Sequence, residues 1–280
     1  MLGMFREAID IARHYTAPVI LSELAVNGEC VSGVGAFVIV NDDGWFVSAN
    51  HIMEDLSKGI EAARDTKQRF ANGEGVSPTD IIECSSWWSF DSLKIKDAYG
   101  YRGLDLVVGR LEPFNPSWVR LYPVFKKVEE RDFKPGTSLC KIGYPFNEMI
   151  TTWNDGKKGF DIDESQLPTL FPLDGIYTRT IDLHSRSGEP SEIPYKWVET
   201  STPGLRGQSG GPIFDNKGVV WGIQCQTQIY DLDFDMEVTE KKSGKKMIIP
   251  QFWNVGCGVH PESLFAAFDK LDIKYNVSAY

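Results

Sequence analysis

The sequence predicts a mainly β fold, made of barrels or sandwiches and not of βαβ units. Short apolar runs recur between glycine and proline breaks, and few helical stretches separate them. A hairpin is also legible near the start, where "GAFVIV" and "GWFVSAN" flank the turn-forming "NDDG" at 41–44, with Gly44 supplying the permissive dihedral.

Taken in order, Phe5, Ala8, Ile9 and Ala12 recur at helical spacing, so 3–15 reads as an amphipathic helix ending before Pro18. After the hairpin, Met53, Leu56, Ile60 and Ala63 form a second helical stripe. Strand-like runs follow at 104–111 ("LDLVVGRL"), 138–144, 175–183, 196–201, 219–226 and 254–260. Leu264, Phe265, Phe268 and Leu271 then mark a C-terminal helix with Pro261 in its first turn. Residues 72–80 and 185–194 read as surface loops.

At 280 residues the chain is long enough for one large domain or two small ones. A net charge of -10 leaves no basic field to attract phosphates, which argues against a nucleic-acid partner. No apolar window is long enough to span a membrane. Arg6, Glu7, Asp10 and Arg13 interrupt the stretch an export signal would need, and the cysteines at 30, 84, 140, 225 and 257 are odd in number with no C-x-x-C pair. The expectation is therefore a cytoplasmic protein with reduced thiols and no zinc site.

The stretch "GLRGQSGGPIFD" at 204–215 raises the question of chemistry. A serine hydroxyl is a poor nucleophile unless a base takes its proton, a carboxylate orients the base, and donors receive the oxyanion. Glycines on both sides of Ser209 let a tight loop turn its N–H groups inward. Of the four histidines, His14, His184 and His260 fall on a helix, in a polar loop and before a helix, where structural or solvated roles suffice. His51 follows the hairpin strand and Asp105 opens an apolar one; taken singly, each also reads as a hairpin-end histidine or a strand-start aspartate.

Together the order His, Asp, Ser resembles that of the trypsin-like, chymotrypsin-fold serine proteases, nearest to the bacterial HtrA type without its PDZ module. "GVGAFVIVNDDGWFVSANHI" is similar to the segment leading to the family's catalytic histidine, "DLVVGRL" to the strand carrying its aspartate, "CKIGYPF" to an interior strand and turn, "VETSTPGLRGQSGGPIFDNKGVVWGI" to its nucleophile segment and "GCGVHPESLFAAF" to its last strand and helix. The resemblance spans most of 30–270. It implies two six-stranded antiparallel β-barrels, 16–125 and 126–260, followed by a helix and tail over 261–280, all in one peptidase unit. Carried over residue by residue, His51 is the general base, Asp105 the orienting acid and Ser209 the nucleophile, with the N–H groups of Gly207 and Ser209 as oxyanion donors. No cofactor or metal is implied, and the partner is a protein or peptide substrate. "GQSGG" also fits the elbow of α/β-hydrolases, but their triad runs Ser, acid, His, and the alternating strands and helices of that fold are missing upstream.

Departures refine the expectation. Gln208 stands where digestive trypsins have an aspartate that pairs with a newly cut N-terminus, so the nucleophile loop is expected to form without that cleavage. The pocket is expected from Pro203, Gly204, Leu205, Arg206, Cys225, Gln226 and Thr227, with Gly256 or Gly258 opposite. Pro203 at its base removes charge selection for Arg or Lys, which suggests a small or apolar residue before the scissile bond, while Arg206 could attract an acidic one. One insertion, 54–100, carries a helix and "CSSWWSF", whose Trp87 and Trp88 read as packing residues. The other, a hairpin at 228–250, alternates Tyr230, Leu232, Phe234, Met236 and Val238 with Asp231, Asp233, Asp235 and Glu237. It reads as a charged edge or as the site of a regulatory protein partner. A protease-like binding module with a closed cleft is the alternative to an active enzyme.

Overall fold

The computed structural model describes residues 3–90, 93–129, 133–146, 149–163, 166–183, 192–241 and 244–279. His184 and most of the loop expected at 185–194 lie outside them.

The fold is mainly β. The first sheet contains β1 (Thr16–Ala25), β2 (Cys30–Ile39), β3 (Trp45–Ala49), β4 (Ile81–Trp87), β5 (Lys94–Tyr101) and β6 (Leu106–Glu112) in the order β4-β1-β2-β3-β6-β5. Every neighbouring pair in it is antiparallel. Strands β4 and β5 both come from 54–100, so the segment expected as an insertion supplies both outer strands of this sheet as well as a helix. The inner face closes over aromatic rings. Phe37, Phe46 and Trp88 are fully buried, with centroids 4.8 to 5.8 Å apart and edge-to-face or tilted geometry, so Trp88 is a core residue.

The second sheet contains β7 (Val124–Phe125), β8 (Ser138–Gly143), β11 (Phe171–Asp182), β12 (Lys196–Thr200), β13 (Pro212–Phe214), β14 (Val219–Thr239), β15 (Lys246–Val259) and β16 (Asn276–Val277). A pairing of β13 with β14 closes β13-β8-β11-β12-β15-β14 into a six-stranded antiparallel ring, which removes exposed ladder edges. Two parallel additions, β7 and β16, extend it, so residues 124 and 125 belong with the second barrel and not the first. Between the sheets' main strands, β9 (Thr151–Asn154) and β10 (Gly159–Ile162) make a separate hairpin.

Three helices are described: α1 (Arg6–Ala12), shorter than the 3–15 expected, α2 (Asn50–Ala71) and α3 (Pro261–Lys270). Helix α3 starts as its sequence directs. The His260 ring accepts the Glu262 N–H at 3.1 Å, and burial lowers the imidazole pKa to about 3, which keeps it neutral and able to accept. That capping role absorbs His260. The five cysteines form no disulfide with one another.

The hairpin at 228–250 is the far end of β14 and β15. Pairing jumps from Asp231↔Phe252 to Asp235↔Pro250, and Asp233 takes a positive φ of 56° in the resulting bulge. The strict alternation expected over 230–238 is therefore broken at Asp233. Asp231, Asp235 and Glu237 share one face, and Met236 and Val238 lie on the other, across from Ile249 and Met247. At its root, the buried Glu199 carboxylate accepts from Arg179, from Thr178 and, at 2.6 Å, from the Tyr230 hydroxyl, tying the hairpin to the barrel.

Candidate active site

Asp105 does not open β6; it sits one residue ahead, in a left-handed turn at φ 55° and ψ 45° that an aspartate tolerates better than most residues. The turn aims its carboxylate at the start of α2. One oxygen accepts the His51 backbone N–H at 2.8 Å and the other accepts the ring at Nδ1, also at 2.8 Å. Helix α2 begins at Asn50, so His51 lies in its first turn and not at a free hairpin end. Its N-cap residue, Ala49, has no side chain able to cap, and Asp105 does this work from 54 positions away. The Asp105 carbonyl holds the Asn50 N–H as well, at 3.1 Å.

This grip sets the tautomer. An ionised carboxylate only accepts, so Nδ1 carries the hydrogen and Nε2 is left as an acceptor facing the cleft. The hydrogen bond to Asp105 is the largest influence on the imidazole and raises its pKa, with burial opposing and the charges of Asp105, Asp55 and Glu54 adding to the rise. Behind Asp105, the buried Cys225 thiol donates to the Cys257 carbonyl at 3.2 Å; burial first and then the Asp105 charge hold it well above the usual thiol range. It is a neutral wall, not a second nucleophile.

Ser209 lies between β12 and β13 on a loop fixed from both sides. The Gly207 carbonyl accepts from Tyr144 N–H, and the Ser209 carbonyl accepts from Ala36 N–H on β2, both at 2.8 Å. Gln208, fully buried, ties the loop to itself, its Oε1 accepting the Leu205 N–H at 3.0 Å. The loop is thus held from within by a neutral amide, in the place where the resemblance implied no N-terminal ion pair. Two close approaches demand glycine: a Cβ at Gly210, which has φ +87°, would stand 1.9 Å from the Ala36 oxygen, and one at Gly143 would stand 2.5 Å from the Gln208 Cα. The N–H groups of Gly207 and Ser209 have no acceptor among the described residues.

His51, Gly207 and Ser209 line one cleft of about 120 Å³, together with Gly35, Ile52 and Arg206. The three candidate residues thus come from both halves of the chain: His51 and Asp105 from the turns beside the first sheet, and Ser209 from a loop of the second. Within the described residues the Ser209 hydroxyl makes no hydrogen bond.

A second cavity of about 180 Å³ adjoins Ser209 and is lined by Gly204, Leu205, Arg206, Gln224, Gln226 and Thr227. Five of the expected pocket residues are here, and two are not. Pro203 stands behind the wall with its carbonyl held by the Lys141 ammonium at 2.9 Å, and Cys225 points into the core. Nor do Gly256 and Gly258 face this cavity, since side chains there would meet Lys141 Nζ and Ile213. Gln224 was the residue missed: β14 has a register shift between Gln224 and Gln226, and both of these residues and Thr227 line the cavity while Cys225 is buried in the core. Lys141 was missed too, because nothing near it in sequence marks a strand lysine as buried.

A family model described as a trypsin-like peptidase domain matches residues 33–223. A curated relative, the probable periplasmic serine endoprotease DegP-like of Pseudomonas fluorescens, is 25% identical over 195 residues, covering 69% of this chain and 29% of the relative. The chain thus spans under a third of that protein's length. Among solved structures, the active form of the Rv3671c protease from M. tuberculosis gives a TM-score of 0.49 at 11% identity, covering 97% of this chain and 86% of that one. The HtrA-type protease AlgW with tripeptide gives 0.48 at 14% identity, covering 96% and 64%. With the family match running from β2 to β14, over more than half of its length, the chain belongs to the trypsin-like peptidase domain family.

Proposed function

We propose that the protein is a serine endopeptidase that hydrolyses peptide bonds through an acyl-enzyme intermediate. The observation that carries this reading is the two-point grip of Asp105 on His51, which leaves Nε2 as a base facing the cleft that Ser209 also lines. His51 takes the Ser209 proton as Oγ attacks the scissile carbonyl, and the N–H groups of Gly207 and Ser209 receive the oxyanion. The imidazolium then returns the proton to the leaving amine. Water, activated by the same imidazole, hydrolyses the ester and frees Ser209. Nothing in this sequence of steps calls for a cofactor.

The sign of the pH dependence follows. Only neutral imidazole accepts the proton, and the Asp105 hydrogen bond raises the His51 pKa above its unperturbed value of about 6.5. The acidic limb of kcat/KM is expected above pH 6.5. Stability runs the other way: the pair's contribution is full below about pH 6.5 and is lost as pH rises through the raised value. A limb at or below pH 6.5 in a steady-state profile would argue against the grip.

The competing reading, a protease-like binding module, draws on the unbonded Ser209 hydroxyl. For the 228–250 hairpin we retain the role of docking edge for a regulatory protein, and commit to a basic segment of it, supported by the exposed carboxylates of Asp231, Asp235 and Glu237 on one face. A lysine-rich peptide is expected to bind the whole chain with steep salt dependence in fluorescence anisotropy, and a chain with 232–249 replaced by a two-residue turn to lose that binding. Equal binding by both would remove the hairpin from regulation.

A further inference from the structure

The cavity beside Ser209 is rich in donors and contains no carboxylate, in a chain whose net charge is -10. Arg206, exposed, stands at its mouth and borders the catalytic cleft as well. Beneath it lies a second cation. Lys141, 1% exposed on β8, donates to the Thr202 carbonyl at 2.6 Å, the Pro203 carbonyl at 2.9 Å and the Thr200 hydroxyl at 3.1 Å. No carboxylate lies within ion-pair distance of it among the described residues. Burial lowers its pKa to about 7, so the ammonium is costly where it stands and an anion nearby would offset that cost.

The floor between Lys141 and the cavity transmits this charge. In a trans peptide the C=O and N–H point in opposite directions. Since the Pro203 carbonyl turns to Lys141, the N–H of the same peptide unit, that of Gly204, turns away from it, and it has no acceptor among the described residues. Gln224 adds a further donor. Its Nε2 gives one hydrogen to the Gln226 carbonyl at 2.8 Å and keeps the other.

We infer that this cavity receives an acidic side chain, glutamate or aspartate, as the residue immediately before the scissile bond. The inference rests on the peptidase reading and names its substrate class. It replaces the small or apolar residue expected from Pro203. A carboxylate there meets the Arg206 guanidinium and the Gly204 N–H, with Lys141 behind that peptide supplying charge without contact. The rival occupant is a neutral amide, because Gln224 Oε1 is buried and lacks a partner among the described residues, and an amide nitrogen could donate to it.

Isosteric substrates separate the two. The full chain would be assayed on one peptide sequence carrying Glu, Gln, Asp, Asn, Leu or Lys before the cleaved bond. Glu over Gln, and Asp over Asn, is expected by about tenfold or more in kcat/KM. In Arg206→Gln and in Lys141→Met the Glu-to-Gln ratio falls towards one. Because Lys141→Met could disturb the pocket floor, Arg206→Gln, a surface change, carries the test by itself. Gln equal to or above Glu, Leu preferred to both, or an unchanged ratio in Arg206→Gln overturns the inference and leaves the peptidase standing. Failure of the wild type to cleave any peptide or to take up a fluorophosphonate on Ser209 refutes the peptidase reading instead, and the inference falls with it.

Discussion

Ser209→Ala is expected to abolish peptide hydrolysis, with a loss of about 10⁶-fold in kcat, while the folded state survives. In the proposed mechanism the hydroxyl is the atom that attacks, and no thiol or second serine lines the cleft among the described residues. Cys225, the nearest thiol in sequence, is buried behind Asp105 and protonated. Structurally the change is slight. The Ser209 backbone, not its side chain, makes the contact to Ala36, and the hydroxyl has no partner to lose among the described residues. Stability is expected to change by less than about 0.5 kcal/mol. Initial-rate assays on any cleaved peptide, set beside thermal denaturation, check both parts. Residual hydrolysis within tenfold of wild type would remove Ser209 from the mechanism.

The second large effect is expected from Asp105→Asn, a loss of about 10⁴-fold in kcat. An asparagine keeps the left-handed turn and can still accept the His51 backbone N–H, so α2 retains its start. What changes is the partner of Nδ1. An amide nitrogen there donates instead of accepting, the ring takes the other tautomer, and Nε2 carries a hydrogen where a lone pair is required. The largest cause that raises the His51 pKa also disappears, so the acidic limb of whatever activity remains moves down in pH. Asp105→Ala should add a stability cost of about 0.5–2 kcal/mol, because α2 then loses its side-chain cap. A shift of the limb without loss of rate in Asp105→Asn would show that Asp105 tunes the ring without orienting it.

How far the sequence alone could carry these conclusions varies with the range of the interaction. The order of His51, Asp105 and Ser209 and the glycines around the serine were legible, because each type is dictated by chemistry or by a backbone turn at its own position. The start of α2 was not. Its cap comes from Asp105, and Ala49 offers no local signal, so His51 read as the end of a hairpin when it is the first turn of a helix. Strands β4 and β5 were hidden for a different reason. As the outer strands of the sheet they bury little on either face, and their pattern of half-buried and exposed residues resembles loop composition.

The pocket shows the sharpest contrast. Reading Cys225, Gln226 and Thr227 as a contiguous wall missed the register shift between Gln224 and Gln226, where Cys225 is buried in the core and Gln224, Gln226 and Thr227 line the cavity. Lys141 could not have been found at all from "CKIGY". Its acceptors lie some sixty positions later, on Thr200, Thr202 and Pro203, and only closure of the second barrel brings them beneath the cavity. The residues proposed to act on the bond were thus legible in the sequence, and those proposed to meet the side chain beside it were not.

The central claim, that Ser209 is an activated nucleophile oriented by His51 and Asp105, is tested most directly by intact-mass measurement after exposure to a fluorophosphonate, followed by peptide mapping. The account predicts one adduct, on Ser209, forming faster as pH rises above 6.5 and absent in Ser209→Ala. No adduct on the wild-type chain, or one on any other residue, would contradict it.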